Sequence, residues 1–300
     1  IDMHAHSDVT MLDDPGGESK AYQGVTTEVS GNCGSTPYPA GVLGTGEALR
    51  EKQPTHPIPH SPTKWAWKDL DSWANYTEDA GISLNIVPQV GHSSLKRAAG
   101  APFSRPADAD ELPLMRRLAA EAIEQAAAAV SNGLTGAHFE NAPTSEIIEL
   151  VKAVAPYENA FYSTHPRLAG GWHFKAVEEA VEIGRQTGVS VEYSHIAIID
   201  SRHHGKADEM AALFDRARED GVDIAFDIYP YLAGAAGFKS LTPAWVEESG
   251  TDGVLKMLAD PPTRKRIKEE MKGGWWGDMP FHFERIVVVK IGPNGDRDHL

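Results

Sequence analysis

Cysteine is almost missing from this 300-residue chain, occurring once, at Cys33. A single thiol excludes an intrachain disulfide framework and makes a reducing cytoplasm the expected setting. Basic residues are also short: 28 Lys and Arg stand against 43 Asp and Glu, a formal charge of −15. That balance argues against nucleic acid and anionic membrane surfaces as partners. A carboxylate substrate therefore needs local cations, because the overall field repels it. No apolar run approaches the ~20 residues of a membrane span, and no charged-then-apolar leader precedes Ile1. Repeats at solenoid period are lacking too. The length suits one large α/β domain or two ordinary ones.

Short β-rich runs alternate with helical stretches, the rhythm of a parallel α/β fold. Strands are expected at residues 1–6, 24–30, 83–90, 134–139, 160–165, 190–195 and 223–229. Helices are expected at 65–80, at 110–132 (Ala-rich, acidic at its start, stopped by Gly133), and at 145–154, 174–187 and 206–220. Residues 35–63 are rich in Pro, Gly and His and read as an irregular excursion holding His56 and His60. After Pro230 the rhythm breaks into a Gly/Pro/Trp-rich segment, a basic helix at 263–272 and one more strand at 285–291.

The chemistry lies at the strand ends. In Ile1-Asp2-Met3-His4-Ala5-His6-Ser7-Asp8 an apolar opening runs into two histidines one residue apart. In a strand, residues i and i+2 face the same way, so His4 and His6 present two imidazoles to one spot. Cys33 sits in a Gly-Asn-Cys-Gly turn after the second strand, and His165 and His195 close the fifth and sixth. The C-terminal strand ends of a (β/α)₈ barrel converge on one face, where active sites sit. Imidazole and thiolate are the ligands of zinc-type metals. The plainer readings are a buried, inert cysteine and hydrogen-bonded core histidines. Two strand-end histidines one βα unit apart favour the metal.

The chain resembles the N-acyl-D-amino-acid deacylases (D-aminoacylases) of the amidohydrolase superfamily. The matching stretches are Ile1–Asp8, Gly24–Gly34 (GVTTEVSGNCG), Asn85–Arg97 (NIVPQVGHSSLKR), Tyr162–Arg167 (YSTHPR), Tyr193–Ile196 (YSHI) and Asp227–Gly234 (DIYPYLAG). The resemblance implies a TIM-like metal-dependent hydrolase barrel, incomplete here: about seven barrel strands at 1–229, then an insertion segment at 230–300. It implies that Cys33, His165 and His195 hold a tight Zn²⁺, with His4 and His6 serving a second, weaker position. It also implies hydrolysis of an N-acyl amino acid by a metal-activated water, whose proton goes to an aspartate. That aspartate belongs to a Ser-Asp-Gly-like turn on an eighth strand, and no match occurs here; Asp296 and Asp298 lie in a polar tail. The general base, the eighth strand and the family's β-sandwich are accordingly expected outside residues 1–300.

Other departures bear on the substrate. Ala197 stands where the family often has a basic residue, and the family's fourth-strand tyrosine falls near Phe139. Arg167 matches the arginine after the first strand-end histidine and is a candidate carboxylate partner, as are Arg202 and Lys206 nearby in sequence. Asp8 and Asp227 are expected to orient ligands or tie loops. His92 lines the mouth or serves structure, His203-His204 reads as a polar loop pair, and Trp275-Trp276 as packing. One competing reading is a hydantoinase- or dihydroorotase-like cyclic-amide hydrolase. It prefers a carboxylated lysine near strand four, yet no lysine occurs between Lys96 and Lys152. Another is a non-catalytic metal-binding descendant, if Leu300 is the true C-terminus.

Overall fold

The computed structural model describes residues 1–51, 63–135, 141–168, 172–234, 237, 241–247, 249–274 and 282–288. Seven strands form one sheet in the order β1-β2-β3-β4-β5-β6-β7. They are β1 Asp2–Ala5, β2 Thr27–Ser30, β3 Asn85–Gly91, β4 Ala129–Gly133, β5 Phe161–His165, β6 Ser190–Tyr193 and β7 Ile224–Phe226. Every neighbouring pair is parallel. Sequence order equals spatial order, so each connection crosses back outside the sheet, as in a (β/α) barrel. The sheet curls far enough that His4, at the end of β1, bonds Asp227, just past β7. It is an incomplete TIM-like barrel, with seven strands among the described residues.

Helices cover the outer face because the strands' apolar residues need a partner there. The helix Leu70–Ala80 starts where Asp69 and Ser72 form a capping box and stops at Gly81 in the left-handed region. Trp65, Trp67, Trp73, Leu95 and Met115 pack around Val90 and Val130. The helices Thr144–Lys152, His173–Thr187 and Ala207–Glu219 bury Ile147, Val177 and Phe214 against Tyr162, Val191, Tyr193 and Ile224. In β5 this leaves Ser163 and His165 on the opposite face, where the Ser163 hydroxyl bonds the Gln89 side chain.

The fourth strand lies earlier than the sequence indicates. The helix expected to run to residue 132 ends at Glu124, and Ala129–Gly133 forms the strand. Four alanines in a row suit a helix by propensity, but the barrel needs a buried strand here, and small side chains fit between β3 and β5. All five residues of β4 are buried. Beyond β7 the helices Gly250–Ala259 and Pro261–Met271 close over Val246, Val254 and Ile267. The strand expected at 285–291 begins instead with a 3₁₀ turn, Phe283–Arg285; residues 289–291 lie outside the described residues.

Candidate metal centre

Four side chains from four strand ends converge on one point. The Sγ of Cys33 lies 3.3 Å from Nε2 of His4, 3.6 Å from Nδ1 of His165 and 3.9 Å from Nε2 of His195. The ligand atoms of His4, Cys33 and His195 all lie within 4.8 Å of one another. Bonds of about 2.3 Å to sulfur and about 2.05 Å to nitrogen, spread tetrahedrally, place S and N about 3.6 Å apart. The observed spacings straddle that value, so the donor set fits a zinc-class ion. His6 stands beside the group, its ring edge-to-face with His4 at 5.3 Å between centroids.

The backbone is shaped to deliver the sulfur. Cys33 has φ +54°, in a region that non-glycine residues occupy only when their surroundings hold them there. The turn that carries it is pressed onto the ends of β3 and β4. A Cβ added at Gly91 would meet the Gly34 carbonyl at 2.4 Å, and one at Gly133 would meet the Cys33 carbonyl oxygen at 2.4 Å. Asn32 fastens the same turn through Nδ2 to the Val29 carbonyl at 2.9 Å. His195 also has positive φ, +40°. Two left-handed non-glycine residues in one site mark strain held where chemistry happens.

Asp227 supplies the partner for two of the ligands. Its Oδ2 accepts from Nδ1 of His4 at 2.9 Å, and its Oδ1 accepts from the His195 amide at 2.5 Å. Burial alone would lower the His4 pKa, but the hydrogen bonds to Asp227 and Cys33 overturn it and raise it to about 10. Burial, together with the neighbouring His4, lowers His195 to about 4. His165 is pushed well below the usual range by burial and by His195, His4 and His6. Both therefore stand neutral at pH 7, the state in which imidazole binds metal.

The remaining candidates fall elsewhere. Asp8 is buried behind the Cys33 turn, where burial raises it to about 7 against hydrogen bonds from Ser30 and Gly31. Its backbone carbonyl accepts from Trp73 Nε1 at 3.1 Å. Arg167 is 4 % exposed; its Nε donates to both Glu179 oxygens, at 3.1 and 2.9 Å, and its Nη2 donates to the Ala142 carbonyl. Arg202 pairs with Asp200, and Lys206 lies over the Phe174 ring. Phe139, His56, His60, Trp275-Trp276, Asp296 and Asp298 lie outside the described residues.

His92 opens the helix His92–Ala98, where its Nε2 bonds Glu146 at 2.8 Å. Sequence reasoning passed over Glu146, although this one carboxylate also accepts from Lys96 Nζ at 3.3 Å and from the Ala107 amide at 2.6 Å. The only mark of this network in the sequence is His92 and Lys96 within one short helix; its acid lies some fifty residues away.

The chain is similar to proteins of known family. A model described as "Amidohydrolase family" matches residues 1–159. An N-acyl-D-glutamate deacylase of Alcaligenes xylosoxydans xylosoxydans is 33% identical over 231 residues, covering 77% of this chain and 46% of the relative. A D-aminoacylase solved in work on its binuclear metal centre superposes with a TM-score of 0.68 at 30% identity, over 78% of this chain and 47% of that one. An N-acyl-D-glutamate deacylase of Bordetella bronchiseptica, complexed with zinc and a phosphonate inhibitor, gives a TM-score of 0.66 at 30% identity, over 77% and 47%. The chain thus spans about half the length of the relatives it matches.

Proposed function

The chain belongs to the amidohydrolase family, on its D-aminoacylase branch, and from that premise we propose that it holds the metal centre of an enzyme that deacylates N-acyl-D-amino acids. The observation that carries the reading is Cys33 Sγ standing 3.3, 3.6 and 3.9 Å from nitrogens of His4, His165 and His195. We take Cys33, His165 and His195 as the tight zinc ligands, with His4 and His6 at a weaker second position. When bound, such an ion supplies Lewis acidity, polarising an acyl carbonyl and acidifying a water.

The chain's own residues do the holding. Cys33 would contribute charge to the ion and His165 and His195 neutral nitrogens, while Asp227 keeps His4 turned toward them. Hydrolysis also needs a proton acceptor, which on this reading belongs to an eighth strand; the described residues supply seven. Residues 230–300 then form the segment between strands seven and eight. Relatives named for N-acyl-D-glutamate and N-acyl-D-aspartate support a small N-acyl amino acid as substrate, while Arg167, buried and paired with Glu179, serves the fold in this reading. Against the cyclic-amide reading, β4, Ala129–Gly133, carries no lysine to carboxylate.

The test is hydrolysis by the protein that carries this chain, before and after zinc is stripped with a chelator and restored. N-acetyl-D-glutamate, N-acetyl-D-methionine, their L-forms and a hydantoin serve as substrates. Zinc-dependent release of the D-amino acids is expected. Hydrolysis indifferent to chelation, or confined to the ring substrate, would contradict the reading.

A further inference from the structure

Asp227 is where the first and last strands of the sheet meet. It follows β7, yet its Oδ2 accepts from Nδ1 of His4 on β1 at 2.9 Å. Its other oxygen accepts from the His195 amide at 2.5 Å. Its backbone is fixed as well: its amide donates to the Tyr193 carbonyl at 3.2 Å, and its carbonyl accepts from the Ile196 amide at 2.9 Å. The side chains of His4 and Asp227 are 17% and 13% exposed, so their bond is largely shielded from water. The residue that receives the second oxygen, His195, is one of the two ligands held at positive φ.

We propose that Asp227 is a positioning residue for the metal centre, acting through His4 by tautomer and through His195 by backbone; the inference rests on the metal reading above. A neutral imidazole carries its single proton on one nitrogen, and the partner of the other nitrogen decides which. A carboxylate at Nδ1 keeps a proton there, so the proton that a bound ion would displace is the one on Nε2, the nitrogen 3.3 Å from Cys33 Sγ. With the proton on Nε2 instead, an N–H would point at the position the ion takes.

The side chain has to be a carboxylate, because both of its partners are donors. Asparagine has the same shape but only one acceptor oxygen, so its amide NH₂ must face either the His4 N–H or the His195 N–H. Asp227→Asn therefore removes one of the two contacts without removing volume.

The test uses Co²⁺ as the probe. Wild type and Asp227→Asn are titrated with Co²⁺, following the thiolate-to-cobalt and d–d absorption, with affinity set by chelator competition. Through its contact with His195, a ligand of the tight ion, the variant should bind about 10–100-fold more weakly, with an altered d–d band. A second measurement needs no variant: in ¹⁵N-histidine-labelled, zinc-loaded wild type, His4 should carry its proton on Nδ1. Unchanged Co²⁺ affinity in Asp227→Asn, or a proton on Nε2 of His4, would overturn the role of Asp227. A wild type that takes up no Co²⁺ would instead remove the metal reading itself. A purely structural aspartate would lower the melting temperature of Asp227→Asn and leave its Co²⁺ affinity unchanged.

Discussion

Gly133 lies directly against Cys33: a methyl group added to the glycine would sit 2.4 Å from the Cys33 carbonyl oxygen. The end of β4 is therefore the floor on which the metal-binding turn rests. Gly133 also pairs with His165 across the β4–β5 ladder, so one small residue adjoins two of the ligands.

Gly133→Ala should push the Cys33 turn outward, because the clash is with backbone that cannot rotate away. Overpacking of this kind costs about 1–3 kcal/mol. We expect a lower melting temperature together with a weaker thiolate-to-cobalt band. An alanine variant that melts and binds cobalt like the wild type would mean that the turn has room to move.

Glu146→Ala tests the buried network behind the barrel mouth. It leaves His92 without its 2.8 Å partner and strips Lys96 Nζ of its carboxylate. Breaking a buried ion pair from one side costs about 3–5 kcal/mol. The urea midpoint should fall with the slope unchanged; a loss below about 0.5 kcal/mol, no more than a surface substitution costs, would show that the network contributes little.

The sequence offers Arg167 as a candidate carboxylate partner, whereas in the structure much of its hydrogen bonding goes to Glu179 and the Ala142 carbonyl. Arg167→Ala should destabilise the fold and raise KM equally for N-acyl amino acids and their amides. A rise confined to the acids would place the guanidinium on the substrate carboxylate.

Asp200 gives a prediction in pH. Hydrogen bonds from Arg202 hold its carboxyl at about 2, against the effect of burial. A folded pKa below the unfolded one, about 3.9, stabilises the fold above pH 4, and that stability is lost as pH falls toward 2. Arg202 is partly exposed, which reduces the gain to about 1 kcal/mol. Arg202→Gln should therefore melt lower than wild type at pH 6 and alike at pH 2. A difference independent of pH would assign the effect to packing.

Much of this architecture was readable from residue order alone. β5, β6 and β7 fall within the expected strands because β-branched and aromatic residues cluster there between helical periods. β4 was misplaced because Ala126 to Ala129 has helical propensity, and only the tertiary demand for a thin buried strand overrides it. The strand-end pattern picked out His4, Cys33, His165 and His195, since strand ends of one sheet share a face. The role of Asp227 in joining β1 to β7 was less visible, because it depends on how far the sheet curls. The glycine floor under Cys33 was hidden for the same reason: it brings together turns that lie far apart in sequence.

The most direct test of the account is the zinc content of the protein that carries this chain, with Cys33 intact and with Cys33→Ala. Three imidazoles meet at that sulfur, so the wild type should carry at least one zinc per chain. Cys33→Ala should lose it, while His4→Ala keeps the tight ion and loses activity. Zinc retained at wild-type occupancy in Cys33→Ala would contradict the thiolate centre on which the account is built.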